Sequence, residues 1–184
     1  MPMRSETTTT SKKDRLKKLA GRLQLDEQGT LTLDGERTMV IPASVLTTIR
    51  AVGEAILGHG VSGIQYLAGE FWGRSVGRTL RTKGVGRDVK EVLRILGDQS
   101  FLRGFGRLEI GSLDEETGLA VWRIYNSPFT EGPVIEEAHH CYFLAGFGAG
   151  ILSVLTGNEV ICREKRCKAE DAPYCEFSTE LTPY

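Results

Sequence analysis

An α+β fold, with helices packed on an antiparallel sheet, is what this 184-residue sequence predicts. Three observations carry that expectation. Pairs of short β-prone segments separated by turn residues occur early, in the middle and at the end of the chain. Three segments of helical apolar period follow one another with no strand between them. A long glycine-rich apolar run then separates the second strand pair from the third. Strands and helices that do not strictly alternate argue against a doubly wound parallel sheet.

Taken in order, residues 1–10, "MPMRSETTTT", are polar and aperiodic, the composition of a disordered leader. "SKKDRLKKLAGRL" predicts a short basic helix with Leu16, Leu19 and Leu23 on one side. A solvated leader helix is the expected role, ahead of a membrane or nucleic-acid arm. Residues 1–22 are therefore read as a flexible basic segment and residues 23–184 as one domain. "GTLTLDGERTMVI" alternates around Asp34-Gly35, a hairpin signal. Pro42 opens a helix whose apolar positions Val45, Leu46, Ile49, Val52 and Ile56 keep the 3.6 period until Gly58. A second helix spans about 61–83, with Ile64, Leu67, Phe71 and Val76 expected inward. A third covers roughly 88–96. "GRLEIGSL" and "GLAVWRIYN" form a strand pair across the acidic turn "DEETG", and "SPFTEGP" is a loop. "VIEEAHHCYFLAGFGAGILSVLTG" is the longest helix, stopped by Gly157-Asn158. "EVICREK" and "YCEFSTEL" make the last hairpin.

Composition excludes several roles. Lys and Arg number 23 against 24 Asp and Glu, so the basic excess of a bulk nucleic-acid binder is missing. Met1 to Lys18 contains no apolar h-region, and no window reaches the roughly 18 apolar residues of a membrane span. The expected compartment is the cytoplasm, where disulfides are rare and paired cysteines more often bind metal.

Among the motifs, "GFGAG" (Gly146 to Gly150) is a poor phosphate loop because its glycines lie inside a helical run with no strand just before. Such glycines cost on the order of 1 kcal/mol each relative to alanine, so close approach of a backbone or a ligand is expected there. His139 and His140 point about 100° apart on a helix, and at most one can face a given site. No nucleophile elbow or serine–histidine–aspartate set is legible.

The four cysteines, Cys141, Cys162, Cys167 and Cys175, with Glu164 among them, are the informative group. A tetrahedral metal site draws four thiolate, imidazole or carboxylate ligands from elements that folding brings together. Cys167 and Cys175 bracket a polar turn and can face each other across the last hairpin. Glu164 and Cys167 lie three apart, on opposite faces of a straight strand, so the chain must turn at 165–167 for both to serve. Cys162 shares a face with Glu164. Spacing alone leaves open a four-cysteine site, a three-cysteine-plus-glutamate site, and four buried reduced thiols with no metal.

The stretch "HHCYFLAGFGAGILSVLTGNEVICREKRCKAEDAPYCEF", with its G-x-E-V, its E-x-x-C, seven residues and then C-x-F, resembles the V4R (4-vinyl reductase) domain. The upstream "IPASVLTTIRAVGEAILGHGVSGIQYLAGEFWGRSVG" is similar to the family's N-terminal half, so the resemblance covers most of residues 37–180. It implies the ligand-binding fold shared with Bet3 subunits of the TRAPP tethering complex. In V4R sensor domains of phenol-responsive regulators, zinc is held by a cysteine on the long helix, the glutamate and cysteine of E-x-x-C, and the last cysteine. Those positions fall here on Cys141, Glu164, Cys167 and Cys175, which leaves Cys162 as a packed thiol.

The resemblance also implies a pocket for a small hydrophobic or aromatic molecule. Tyr66, Phe71, Trp72, Trp122, Tyr125 and Phe147 are its candidate lining residues, and no residue maps onto the histidine with which those sensors contact phenol. A zinc-stabilised ligand-binding protein, sensor or carrier, is the leading expectation. Any sensing would act through a partner protein or through the short basic N-terminal segment. A factor in bacteriochlorophyll or other tetrapyrrole synthesis is the second. It fits a carrier better than a catalyst, since no nicotinamide or flavin fingerprint would supply a hydride. A scaffolding module similar to the tethering subunits is the third. A homodimer is expected from the resemblance and from the early hairpin Thr30 to Ile41, whose short strands need a partner surface.

Overall fold

The structure is a computed structural model that describes residues 12–86, 88–131 and 141–182. The polar leader 1–10, His139, His140 and the first turns expected of the long helix lie outside the described residues. The chain divides into two compact units, Met1–Ile41 and Pro42–Tyr184.

The first unit holds α1 (Lys12–Ala20) and a small antiparallel sheet of β1 (Leu23–Leu25), β2 (Leu31–Leu33) and β3 (Glu36–Arg37), paired in that order. The β2–β3 hairpin turns on Asp34 and Gly35 with φ of 55° and 80°, the left-handed pair that a two-residue turn requires. The strand β1 was not expected. Its three residues, "LQL", are too few to show a period, and its pairing with β2 depends on Asp26. That carboxylate accepts the N–H groups of Gln28 and Thr30 and closes the turn.

The second unit runs α2 (Ala43–Leu57), α3 (Gly60–Thr82), α4 (Val89–Leu102), β4 (Arg107–Leu113), β5 (Ala120–Tyr125), α5 (Tyr142–Thr156), β6 (Val160–Arg166) and β7 (Cys175–Leu181). A short 3-10 turn, Pro128–Thr130, follows β5, and another, Lys168–Glu170, follows β6. The sheet has the order β4-β5-β7-β6 and is antiparallel throughout. Its inner face, with Trp122, Ile124, Phe177 and Val160, packs on α5, itself buried along most of its length. The expected α+β architecture is the one observed.

Helices α3 and α5 touch backbone to backbone. A Cβ built on Gly69 or Gly73 would lie 2.0 Å from the Phe143 carbonyl oxygen or 2.3 Å from that of Phe147. On Gly146 or Gly150 it would lie 1.9 Å from the Tyr66 oxygen or 2.2 Å from that of Glu70. The glycines of "GFGAG" thus meet another backbone, and the dispersion contacts made there offset their low helix propensity.

This packing overturns one expectation. Ile64, Leu67 and Phe71 do not face inward; they are 55%, 54% and 75% exposed, while the buried face of α3 is Gly69, Gly73 and Gly77. At backbone contact no larger side chain fits between the helices, so the bulky row turns outward. On α2 likewise, Val45, Ile49, Val52 and Ile56 are exposed, whereas Thr47 and Arg50 are buried.

Gly146→Ala should cost about 3 kcal/mol through overpacking. Gly63→Ala, in the same helical bundle with nothing within 4 Å, should gain up to about 1 kcal/mol. Thermal melts compare them, and a Gly146→Ala protein as stable as Gly63→Ala would refute the close packing.

Candidate metal centre and aromatic cluster

Cys141 stands immediately before α5, at its N-cap position. Glu164 lies on the inward face of β6, alternating with exposed Arg163 and Lys165. The register of β6 against β7 then slips: Glu164 pairs with Phe177 but Arg166 with Glu176, which leaves Lys165 as the extra residue of a bulge. The bulge is the turn that the spacing demanded. It returns Cys167 to the buried face three residues after Glu164. Asp171, at φ 61°, helps reverse the chain so that Cys175 can open β7 opposite.

The side chains of Cys141, Glu164, Cys167 and Cys175 converge, each offering one ligand atom, with all four atoms within 4.8 Å of one another. The three cysteines are fully buried and Glu164 is 7% exposed. Sulfur separations are 3.6 Å for Cys141–Cys175 and 4.0 Å for Cys167–Cys175. The Cys141 N–H donates to Glu164 Oε2 at 3.0 Å, while Glu164 Oε1 is buried without a hydrogen bond. Burial, with Cys167 adding to it, pushes the Glu164 carboxyl up to about 8. Hydrogen bonds to Cys167 and Cys175 raise the Cys141 thiol far above its ordinary range. Cys175 rises as well, because the bond to Cys167 and burial outweigh the lowering contact with Cys141. Three buried thiols and a carboxylate with an unsatisfied oxygen could give up their protons here only against a compensating positive charge. A metal cation would supply that charge, and these four residues could hold one.

Cys162 lies on the same strand face but outside this group. Its thiol is pushed up to about 12 by burial, and its backbone N–H donates to the Tyr66 hydroxyl at 3.0 Å. Two further groups touch the sulfurs. The Lys168 N–H donates to Cys175 Sγ at 3.4 Å, and Ser127 Oγ lies 3.5 Å from Cys141 Sγ.

The expected pocket residues separate in the fold. Trp72 and Phe147 meet at 4.8 Å between ring centroids, within a cluster completed by Phe105, Phe129 and Phe143. Trp122 is buried elsewhere in the core, stacked at 4.0 Å on Phe177. Tyr66 packs against that core. Phe71 is on the exposed side of α3, and Tyr125 is on the outer sheet face beneath the Arg107 guanidinium and beside Tyr174. Sequence reasoning missed three rings of the cluster. Phe143 stands four residues before Phe147 and so shares its helix face, a readable signal. Phe129 in its loop and Phe105 after α4 offered none.

A family model described as the V4R domain matches residues 120–181. Solved structures with the same fold include the phenol-responsive sensory domain of the transcription activator PoxR with phenol, at 21% identity and TM-score 0.75, covering 94% of this chain and 91% of that one. Another is a vinyl-4-reductase family protein from Methanocaldococcus jannaschii, at 21% identity and TM-score 0.55, covering 79% of this chain and 85% of that one. A third is a trafficking protein particle complex subunit 3 from Naegleria fowleri, covalently bound to palmitic acid. It has 12% identity and TM-score 0.57, and covers 77% of this chain and 96% of that one. Among curated proteins none matches this sequence. Among the described residues, no helix is long and apolar enough to cross a membrane.

The raised carboxyl has a measurable consequence in protein stripped by a chelator. Folded Glu164 keeps its proton to about pH 8, while the unfolded chain releases it near 4.5. The stability it contributes is therefore full below pH 4.5 and lost as pH rises toward and through 8. Urea midpoints of stripped protein should fall from pH 5 to pH 8.5. Metal binding, which needs deprotonated ligands, should strengthen over the same range. A stripped protein that gains stability on this rise would contradict the assignment.

Proposed function

We propose, for a chain whose residues 120–181 carry the V4R domain, a zinc-stabilised cytoplasmic protein that binds a small hydrophobic or aromatic molecule as sensor or carrier. The observation that carries the ligand reading is the cluster of Trp72, Phe105, Phe129, Phe143 and Phe147, five neighbouring rings that are only partly buried. Such rings offer a flat molecule offset-stacked and edge-on contacts. Likeness to the PoxR sensory domain with phenol supports a ligand of that size. Trp122 is not one of these rings, and its Nε1 stands apart from them in the core. It is buried and makes no regular hydrogen bond, although it lies near enough to the Cys162 sulfur to lower that thiol. Native mass spectrometry of protein purified without denaturation tests the reading. A bound small molecule, or uptake of added phenol, supports it, and a chain that takes up neither phenol nor any aromatic molecule sinks it.

Three thiolates and one carboxylate are a donor set that zinc accepts, and four such ligands fill its tetrahedron. With no position left for water or substrate, the metal's chemistry is to hold together α5, β6 and β7, not to activate a reactant. Cys141, Glu164, Cys167 and Cys175 would be the ligands and Cys162 a packed thiol. Cys162→Ala should keep full zinc after dialysis against a mild chelator, at a stability cost of roughly 1 kcal/mol. Glu164→Ala should lose most of it. The reverse pattern would mean that the site is built from four cysteines.

A homodimer is the proposed assembly, and its proposed surface is the apolar row on α2 and α3. Val45, Ile49, Val52, Ile56, Ile64, Leu67 and Phe71 are 38–75% exposed. Together they present on the order of 800 Å², about what one partner contributes to a standard interface. Ile49→Asp with Phe71→Asp should give a monomer by light scattering at micromolar concentration, where the unmodified chain gives a dimer. A monomeric unmodified chain would overturn the assembly.

A further inference from the structure

We infer that the turn Ser127–Thr130 is a positioning element that ties the metal centre to the aromatic cluster, Ser127 holding the Cys141 sulfur and Phe129 held among the rings. This rests on the metal reading above and adds residues that do not coordinate the ion.

Ser127 is 1% exposed and stands at the N-cap of the 3-10 turn, where a serine hydroxyl ordinarily accepts a backbone N–H. Here the side chain makes no cap hydrogen bond; its Oγ lies instead 3.5 Å from Cys141 Sγ. The backbone does the capping: the Ser127 carbonyl accepts the Thr130 hydroxyl at 2.8 Å and its N–H at 3.3 Å. With a metal bound, Cys141 is a thiolate and only the hydroxyl can donate. The hydroxyl then orients the sulfur and withdraws charge from it, the role of an outer-shell partner.

Two residues on, Phe129 stacks against Phe143 at 5.5 Å with planes 25° apart, and against Phe105 at 6.3 Å with planes 22° apart. Pro128 between them is buried and confines the turn's backbone. The Phe129 carbonyl accepts the NH1 group of Arg50, a 5%-exposed side chain of α2 that also pairs with Glu54 at 3.6 Å. Phe143, the ring Phe129 stacks on, is itself two residues from Cys141. The rings and the sulfur are therefore joined by two short routes, one through the turn and one along α5. A shift of Phe129 against its neighbours is carried to Ser127 Oγ through a backbone held at both ends.

The test uses full-length protein loaded with cobalt(II), whose thiolate-to-metal absorption band reports the sulfurs, and with zinc, whose transfer to a colorimetric chelator is timed. Ser127→Ala should shift the cobalt band and weaken metal retention by about 10–100-fold. Phe129→Leu, which keeps an apolar side chain and touches no ligand, should shift the band in the same direction. The double variant should match the larger single effect, because both act through one hydroxyl. A band unmoved by Phe129→Leu, or fold-effects that multiply in the double variant, would overturn the coupling. An unmodified chain that takes up no metal would instead remove the metal reading itself, before any variant is compared.

Discussion

Contact between the backbones of α3 and α5 is the constraint on which the rest of the second unit depends. Four glycines let the two helix axes come closer than side chains allow elsewhere, and each glycine faces a carbonyl of the other helix. Once α5 is pressed into α3 on one side, its other side is left to the sheet, where Gly148 meets the face of Trp122. That arrangement brings the start of α5, and with it Cys141, over the end of β6 and the beginning of β7. It also leaves no room for the bulky residues of α3 along the contact, which accounts for their outward row.

The cluster of Cys141, Glu164, Cys167 and Cys175 carries an electrostatic problem created by that burial. The β6 bulge turns Cys167 inward beside Glu164, and the final hairpin adds Cys175. Four groups that become anionic on losing a proton are thereby held where water cannot solvate them. Protons can keep them neutral, at the raised values of Glu164, Cys141 and Cys175. A cation, as proposed, would satisfy all four at once. On either side the surroundings are polar in a directed way, with the Lys168 N–H on one sulfur and the Ser127 hydroxyl beside another.

Much of this was legible in the amino-acid order, and the gaps have physical causes. The middle and last strand pairs followed from alternation, and the turn at 165–167 followed from the parity of Glu164 and Cys167. The choice between Glu164 and Cys162 was not legible from alternation, because both point the same way; the resemblance supplied the glutamate, and the geometry groups Glu164 with the three other cysteines. The orientation of α3 was misread for a definite reason. A helical period shows which residues share a face, not which face meets the core, and the small residues of α3 marked the core side. Trp72 and Phe147 of the ring cluster were named and Phe143 was readable one turn before Phe147, whereas Phe105 and Phe129 stayed hidden because they come from connecting segments at sequence distances that no local pattern spans.

The glycine contact has a mechanical meaning as well. Helices locked at backbone distance cannot part or slide without losing a long strip of tightly fitted atoms, so α3 and α5 form a stiff wall beside Trp72, Phe143 and Phe147. Phe105 and Phe129 approach the same rings from connecting segments and not from this paired backbone. For the proposed guest, room among these rings would have to come from the segments that carry Phe105 and Phe129, since the helices are the fixed side.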